Sequence, residues 1–288
     1  MNVCPYVKGV KVGRREIEPF EIGRSLIDHL AHAAYWSGMD AQFTVQQRAE
    51  QLDRSKFFGV PISGFENAGR QQFILLLMSG LTPASKVVDI GCGVLRAGYW
   101  LIHFLDPHCY YGLEPSEERI EAGLTTILEP GIEQIKQPRF AMNADFDTGV
   151  FGVPFDFFLA YSIWTHASKG QIERMLDGFL RDSTPEAVFL TSVIPAGLRW
   201  RDYPGEAWVG TSHESVTPGC IGHDLRWIRA ECRRRRLSLR VLGRELDGQT
   251  WLQISRDRKR NLLFRSIWLE GRVVPAVRRL IALIAPTG

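Results

Sequence analysis

The sequence predicts an α/β fold: a doubly wound, mostly parallel sheet of seven strands with helices on both faces. Three observations carry this. From Lys86 to Ile254, short apolar runs alternate with amphipathic stretches; a glycine-rich turn follows the first apolar run; and acidic residues stand at the ends of the first three runs. A helical cap is expected before the sheet (1–80), the α/β domain at 81–257, and a basic amphipathic tail at 258–288.

In the cap, Leu26, Ile27, Leu30, Ala34 and Tyr35 recur at helical spacing, as do Phe73, Leu76 and Leu77. Gly59 to Gly64 breaks the region in two, and Gly80 followed by Pro83 ends the second helix. Val87 to Ile90 is the first strand and Arg96 to Leu105 its helix. Cys109–Leu113 and Ser116–Leu128 form the next strand and helix. Phe140–Met142 is a short third strand, Phe155–Tyr161 a fourth, and Lys169–Leu180 a helix. Ala187–Ile194 is the fifth strand and Asp224–Arg235 the last helix of the domain. Leu237–Leu242 and Thr250–Ile254 close the sheet.

The chain of 288 residues, 45% hydrophobic and 23% charged, can bury a real core. Its net charge of +3 does not argue for nucleic acid. No stretch reaches the roughly 18–20 apolar residues of a membrane span, and the start has no secretory-type apolar run. Five dispersed cysteines without C-x-x-C spacing suit reduced thiols in a cytoplasmic protein rather than a zinc site. The tail holds seven basic residues against Glu270, so the rest of the chain is net acidic by three charges. Packing within the protein or across a homodimer is the default expectation for it. Contact with an anionic membrane surface is the sharper one, and nucleic acid ranks last.

The chemistry centres on Asp89-Ile90-Gly91-Cys92-Gly93. A strand running into glycines and then a helix brings backbone N–H groups to a ligand at the sheet's carboxyl edge. The next glycine comes five residues after Gly93, which does not fit the G-x-G-x-x-G that holds a pyrophosphate. A zwitterionic amino acid joined to adenosine fits better. Glu114, 23 residues after Gly91 and before Pro115, is placed to accept both ribose hydroxyls. Asp145 is placed to accept from the adenine amino group, with Phe146 beside the ring. A lone G-x-G is often only a tight turn; the matching acids at successive strand ends make the pattern specific.

These segments resemble a known family. VVDIGCGVLRAG resembles motif I of the class I S-adenosylmethionine-dependent methyltransferases, YYGLEPS their second motif, and FDFFLAYSIWTHAS and DGQTWLQISR their later strands. The resemblance spans about residues 66–256 and implies a Rossmann-like fold. It also implies donor contacts by Asp89, Gly91, Gly93, Glu114, Asp145 and Tyr161, with Cys92 in the same turn. Leu95 stands where many members place a third glycine.

For the acceptor, His166 lies just after the fourth strand and is the candidate base. The alternative is a structural histidine bonding a neighbouring loop. His213, Glu214 and His223 flank the loop that commonly walls the acceptor pocket. Arg70 is a candidate partner of the donor carboxylate, with a surface ion pair as the equal alternative. Trp36, Phe43, Phe57, Phe58 and Phe65 make a lid or simply pack the cap. His29 and His32 share a helix face without a carboxylate in register, so no metal is expected. The expected activity is methyl transfer to a small-molecule acceptor, chiefly a hydroxyl of a sugar, lipid or secondary metabolite. The alternatives are N-methylation and a binding-only regulatory or scaffold subunit, in which His166 would be turned away.

Overall fold

A computed structural model describes residues 43–52, 61–211, 218–244 and 248–256. His29, His32, Trp36, Phe57, Phe58, His213, Glu214 and the tail at 258–288 lie outside the described residues. The chain divides into two compact units, Met1–Thr44 and Val45–Gly288, and the sheet belongs to the second. Residues 45–80 of the expected cap fall in that same unit.

The second unit begins with helix α1 (Val45–Ala49) and helix α2 (Phe65–Met78). Then follow β1 (Val87–Ile90), α3 (Gly98–Phe104), β2 (Tyr110–Leu113), α4 (Glu117–Ala122), α5 (Ile132–Lys136) and β3 (Arg139–Ala141). The second half comprises β4 (Phe155–Ala160), α6 (Lys169–Asp182), β5 (Ser183–Pro195), β6 (Gly222–His223), α7 (Leu225–Arg234), β7 (Ser238–Arg244) and β8 (Thr250–Ser255). The main path of the sheet runs β3-β2-β1-β4-β5-β8-β7, which is the expected seven strands, and the two-residue β6 joins β5 as an eighth. β8 is antiparallel to both its neighbours; the pairings from β3 to β5 are parallel. The order reverses at β1, whose neighbours are β2 and β4, and that is where an open α/β sheet leaves a crevice at its carboxyl edge.

Period-two alternation divides the strands between two faces. Val88, Ile90, Phe158 and Phe189 pack with Met175, Leu176 and Phe179 of α6 in the larger core. The buried residues of α6 (Ile172, Met175, Leu176, Phe179) recur at helical spacing, so one stripe covers the sheet. Phe158 meets Phe179 edge-on at 5.0 Å between ring centroids, a geometry that adds to burial. Ser168 and Gln171 cap α6 reciprocally, so its start, just after the turn that carries His166, is firmly fixed.

Two features were not legible. The helix after β2 changes at Gly123 into a π-helical turn (Gly123–Ile127), and α5 is an extra short helix. At this turn Gly123 packs closely on fully buried Leu95: a Cβ on Gly123 would stand 2.7 Å from Leu95 Cγ. Leu95 itself adopts φ 62°, the left-handed conformation that a glycine would take without strain. Burial of the isobutyl group against Gly98 and Gly123 offsets a backbone cost of about 1–2 kcal/mol.

Candidate functional site

The crevice between β1 and β4 is a cleft whose floor is the glycine turn after β1. Gly91 N and Cys92 N both donate to the Leu113 carbonyl, at 2.7 and 3.2 Å, which ties the turn to β2. Gly91 has φ 72°, and a Cβ there would overlap Ile163 Cδ1, so residue type is fixed twice over.

Glu114, at the end of β2, is buried at 3% exposure. Its Oε2 accepts from Gly93 N at 3.2 Å; its Oε1 accepts from Ser116 N at 3.2 Å and from Arg119 Nη1 at 3.3 Å. A carboxylate offers about four acceptor sites, so acceptor capacity remains on a side chain that already braces the turn. Of the residues singled out in the sequence, Gly91, Gly93, Glu114, Pro115, Phe146, Tyr161 and His166 line the cleft.

Four expected contacts fall elsewhere. Asp89 points to the opposite face of β1 from Ile90, where Tyr110 OH donates to its Oδ2 at 2.9 Å. Burial pushes its carboxyl up to about 7 against the Tyr110 bond, and the thiol of buried Cys92 is likewise raised. Both side chains lie beneath the turn rather than in the cleft. Asp145 is exposed and accepts from Asp147 N at 3.4 Å within its own turn. β3 ends at Ala141, one residue earlier than expected, and Asn143 lines the cleft instead. Arg70 is half exposed on α2 and stands 4.0 Å from Glu66, one helical turn away; the guanidinium groups in the cleft belong to Arg96 and Arg119.

The opposite wall is built from the turn after β4 and from a strap, residues 196–211, that follows β5. Ser162 turns the chain at φ 58° and its N–H donates to Ser192 Oγ at 2.7 Å. Ser192 Oγ donates to Gln249 Oε1 at 2.7 Å, and Gln249 Nε2 donates back to Ser162 Oγ at 3.3 Å. Tyr161 stacks on Trp251 at 5.0 Å, and the Arg96 guanidinium lies over the Tyr161 ring at 5.1 Å. These partners come from residues as far apart as 96 and 251, so no local pattern announces them.

His166 is half-buried. Its Nδ1 lies 2.7 Å from the Val209 carbonyl, which only accepts, so Nδ1 carries the proton and Nε2 the lone pair. Val209 N donates to the His166 carbonyl at 2.9 Å, which clamps the strap to the turn, and Ile221 N, just before β6, donates to Thr165 O at 2.8 Å. Burial lowers the imidazole pKa against the opposing pull of the Val209 and Gly219 carbonyls, so the ring is neutral at pH 7. His166 bonds a neighbouring loop and also lines the cleft. His223 is buried behind the strap with Nε2 on Ala167 O at 3.0 Å and does not line the cleft. Phe65 packs with Val45, Ala49 and Leu52 in a second core, as the packing alternative has it.

No family model matches the sequence, and no curated protein matches it. Among solved structures, the chain is similar to a magnesium protoporphyrin IX methyltransferase from Synechocystis PCC 6803 with bound SAM. The identity is 15% and the TM-score 0.52, over 76% of this chain and 92% of that one. It is also similar to a glycopeptide N-methyltransferase complexed with sinefungin, at 10% identity and TM-score 0.50, over 66% of this chain and 94% of the other. At such identities the likeness is one of fold.

Proposed function

We propose that the cleft binds S-adenosylmethionine and that the chain transfers its methyl group to a small-molecule acceptor. The observation that carries this reading is Glu114. It is a buried carboxylate at the end of β2, locked onto the glycine turn through Gly93 N with acceptor capacity remaining.

The residues present fit the donor. Glu114, with acceptor capacity left beside its bonds to Gly93, Ser116 and Arg119, can accept ribose hydroxyls, and Phe146 and Tyr161 line the same cleft. Arg96 supplies a cation for the donor carboxylate, in the place expected of Arg70. The bound donor supplies an electrophilic methyl on a sulfonium. The protein's task is alignment of donor and acceptor and removal of one proton. His166, neutral with its lone pair on Nε2, is suited to take a proton from an acceptor hydroxyl. That favours an O-methyl acceptor on a sugar, lipid or secondary metabolite.

The two solved neighbours are named for different acceptors, a magnesium protoporphyrin and a glycopeptide. The acceptor reading therefore rests on this chain's own residues. A binding-only subunit is disfavoured by His166 lining the cleft. Contact of the tail with an anionic membrane or a second copy remains a partner proposal, read by vesicle flotation of the full chain with and without residues 258–288. No described helix is long and apolar enough to cross a membrane.

Calorimetry with S-adenosylmethionine, S-adenosylhomocysteine and NAD⁺ tests the donor. Micromolar binding of the first two and none of the third is expected. Binding of NAD⁺ alone, or of none, overturns the reading.

A further inference from the structure

The donor cleft leaves unused a face built from the start of the strap and from α7. After β5 the chain turns through a tight loop with Leu198 and Arg199 at its tip, closed beneath them where Gly197 N donates to Trp200 O at 2.7 Å. Leu198 is fully exposed, whereas no other exposed large hydrophobic among the described residues exceeds 56%. The base of the loop is held to β6 and to the start of α7. Ala196 N donates to His223 O at 2.9 Å, Tyr203 N to Gly222 O at 3.0 Å, and Asp224 N to Asp202 Oδ1 at 2.8 Å. The leucine is therefore presented on a fixed scaffold.

The charge around it is mostly of one sign. Arg199 and Arg201 flank Trp200, and Arg201 and Arg226 share a shallow surface hollow with that tryptophan. Along α7, Arg226, Arg229 and Arg233 recur at i, i+3 and i+7, one residue out of step with the inward stripe of Leu225, Ile228 and Cys232. The carboxylates at the hollow are Asp202 and Asp224, and both are taken: Lys169 stands 2.6 Å from the first and Arg226 2.8 Å from the second. Arg199, Arg201, Arg229 and Arg233 have no ion-pair partner among the described residues.

Four unpaired guanidinium groups around an uncovered leucine call for an occupant that is anionic and apolar at once. The tail at 258–288 is itself strongly basic, and a second copy meeting this face would bring the same arginines, so neither complements it. Nucleic acid would answer the charge and leave Leu198 in water. We infer that this face docks on an anionic lipid surface. Leu198 enters the boundary between headgroups and acyl chains, Trp200 sits at the headgroup level, and the arginines meet lipid phosphates. The contact is separate from that of the tail and does not rest on the donor reading. The strap that begins at this tip reaches the cleft at Trp208 and Thr211, so the docked loop and the cleft wall are one connected segment.

The test is flotation of the full chain with vesicles of phosphatidylcholine alone and of phosphatidylcholine with phosphatidylserine, beside binding to a duplex oligonucleotide. Binding is expected to the anionic vesicles and not to the neutral ones, weakening as salt is raised. Leu198→Ser, and Arg229→Gln combined with Arg233→Gln, should each weaken it by about tenfold with thermal unfolding unchanged. Arg199→Ala, at the loop tip, should give a smaller loss in the same direction and keeps the test open where the helix variant fails to fold. No vesicle binding by the wild type overturns the inference. Full binding by folded Leu198→Ser and Arg199→Ala also overturns it, and assigns the contact to the tail. Tighter binding to the oligonucleotide than to the vesicles, unaltered by Leu198→Ser, overturns it in favour of nucleic acid.

Discussion

The two walls of the cleft are made in different ways. On the β1–β2 side, Gly91, Gly93 and Glu114 lie within one strand-turn-helix-strand unit and hold one another through a backbone N–H and a carboxylate. On the far side, Trp208, His166, Ser162 and Gln249 are brought together from loops separated by up to 87 residues; the last three are held by side-chain bonds to another loop, and Trp208 by its ring contacts with Phe146 and His166. The first wall is a local consequence of sequence. The second exists only once the sheet has formed, and small changes in the strap would rebuild it. A cleft of this kind keeps one ligand constant while the other is free to change.

That contrast breaks most sharply at Gly91. Gly91→Ala puts a methyl group into Ile163 and forces alanine to φ 72°. Donor affinity should fall by about 100-fold or more, since the strain and the clash both fall on the turn that holds the ligand. Calorimetry with S-adenosylhomocysteine reads it. Unchanged affinity would mean that the turn is not the donor's floor.

On the other wall the expected signature is reversed. His166→Ala should slow turnover by about 100-fold while leaving donor affinity near wild type. Since burial holds the imidazole pKa below its usual value, the proton-accepting form persists at neutral pH. The acid limb of kcat should therefore appear below pH 6.5 in the wild type and vanish in the variant. A loss of donor affinity equal to the loss of turnover would assign His166 to clamping the strap alone.

A smaller effect sharpens the first wall. Glu114→Ala removes a charged acceptor of the expected ribose hydroxyls and should weaken donor binding by about 2 kcal/mol. Glu114→Gln, which keeps one acceptor oxygen, should recover part of this. An unaltered dissociation constant in both would leave Glu114 as only the brace of Gly93 and Arg119.

How much of this could be read in the sequence follows the same division. The mostly parallel sheet was legible in the alternation of apolar runs and amphipathic stretches, and Gly91, Gly93 and Glu114 in their places at strand ends, where backbone geometry restricts residue type. Asp89 and Cys92 were misplaced because a motif gives spacing, whereas the pleat decides the face: Ile90 takes the cleft side of β1, so Asp89 must turn the other way. Asp145 gave way to Asn143 as the cleft-lining residue because Asp145 accepts from Asp147 N within its own turn and is left exposed. Arg70 failed for a periodic reason: Gln72 and Leu76 are the buried face of α2, which leaves Arg70 outside. Trp208 and Gln249 had no local signal at all. Leu95 looked like a departure from the glycine pattern, yet it keeps the glycine's φ and uses its side chain to fill space that Gly98 and Gly123 leave open.

Asp89 gives the last and smallest test, because it reports on the legible wall without touching the ligand. Its pKa in the folded protein is raised from 3.8 to about 7 by burial, with the Tyr110 bond opposing. The folded state therefore binds the proton more tightly than the unfolded chain. The stabilisation is complete below the unfolded pKa and is lost as pH rises through the folded one, so stability should fall between about pH 4 and 7. Between pH 5 and 7 the wild type should lose about 2 kcal/mol more than Asp89→Asn, whose side chain cannot titrate. Urea unfolding of both proteins at the two pH values measures the difference. Parallel slopes would mean that Asp89 is ionised in the folded state and that Arg96, across the turn, holds its charge. The buried face of β1 would then be as polar as the cleft above it.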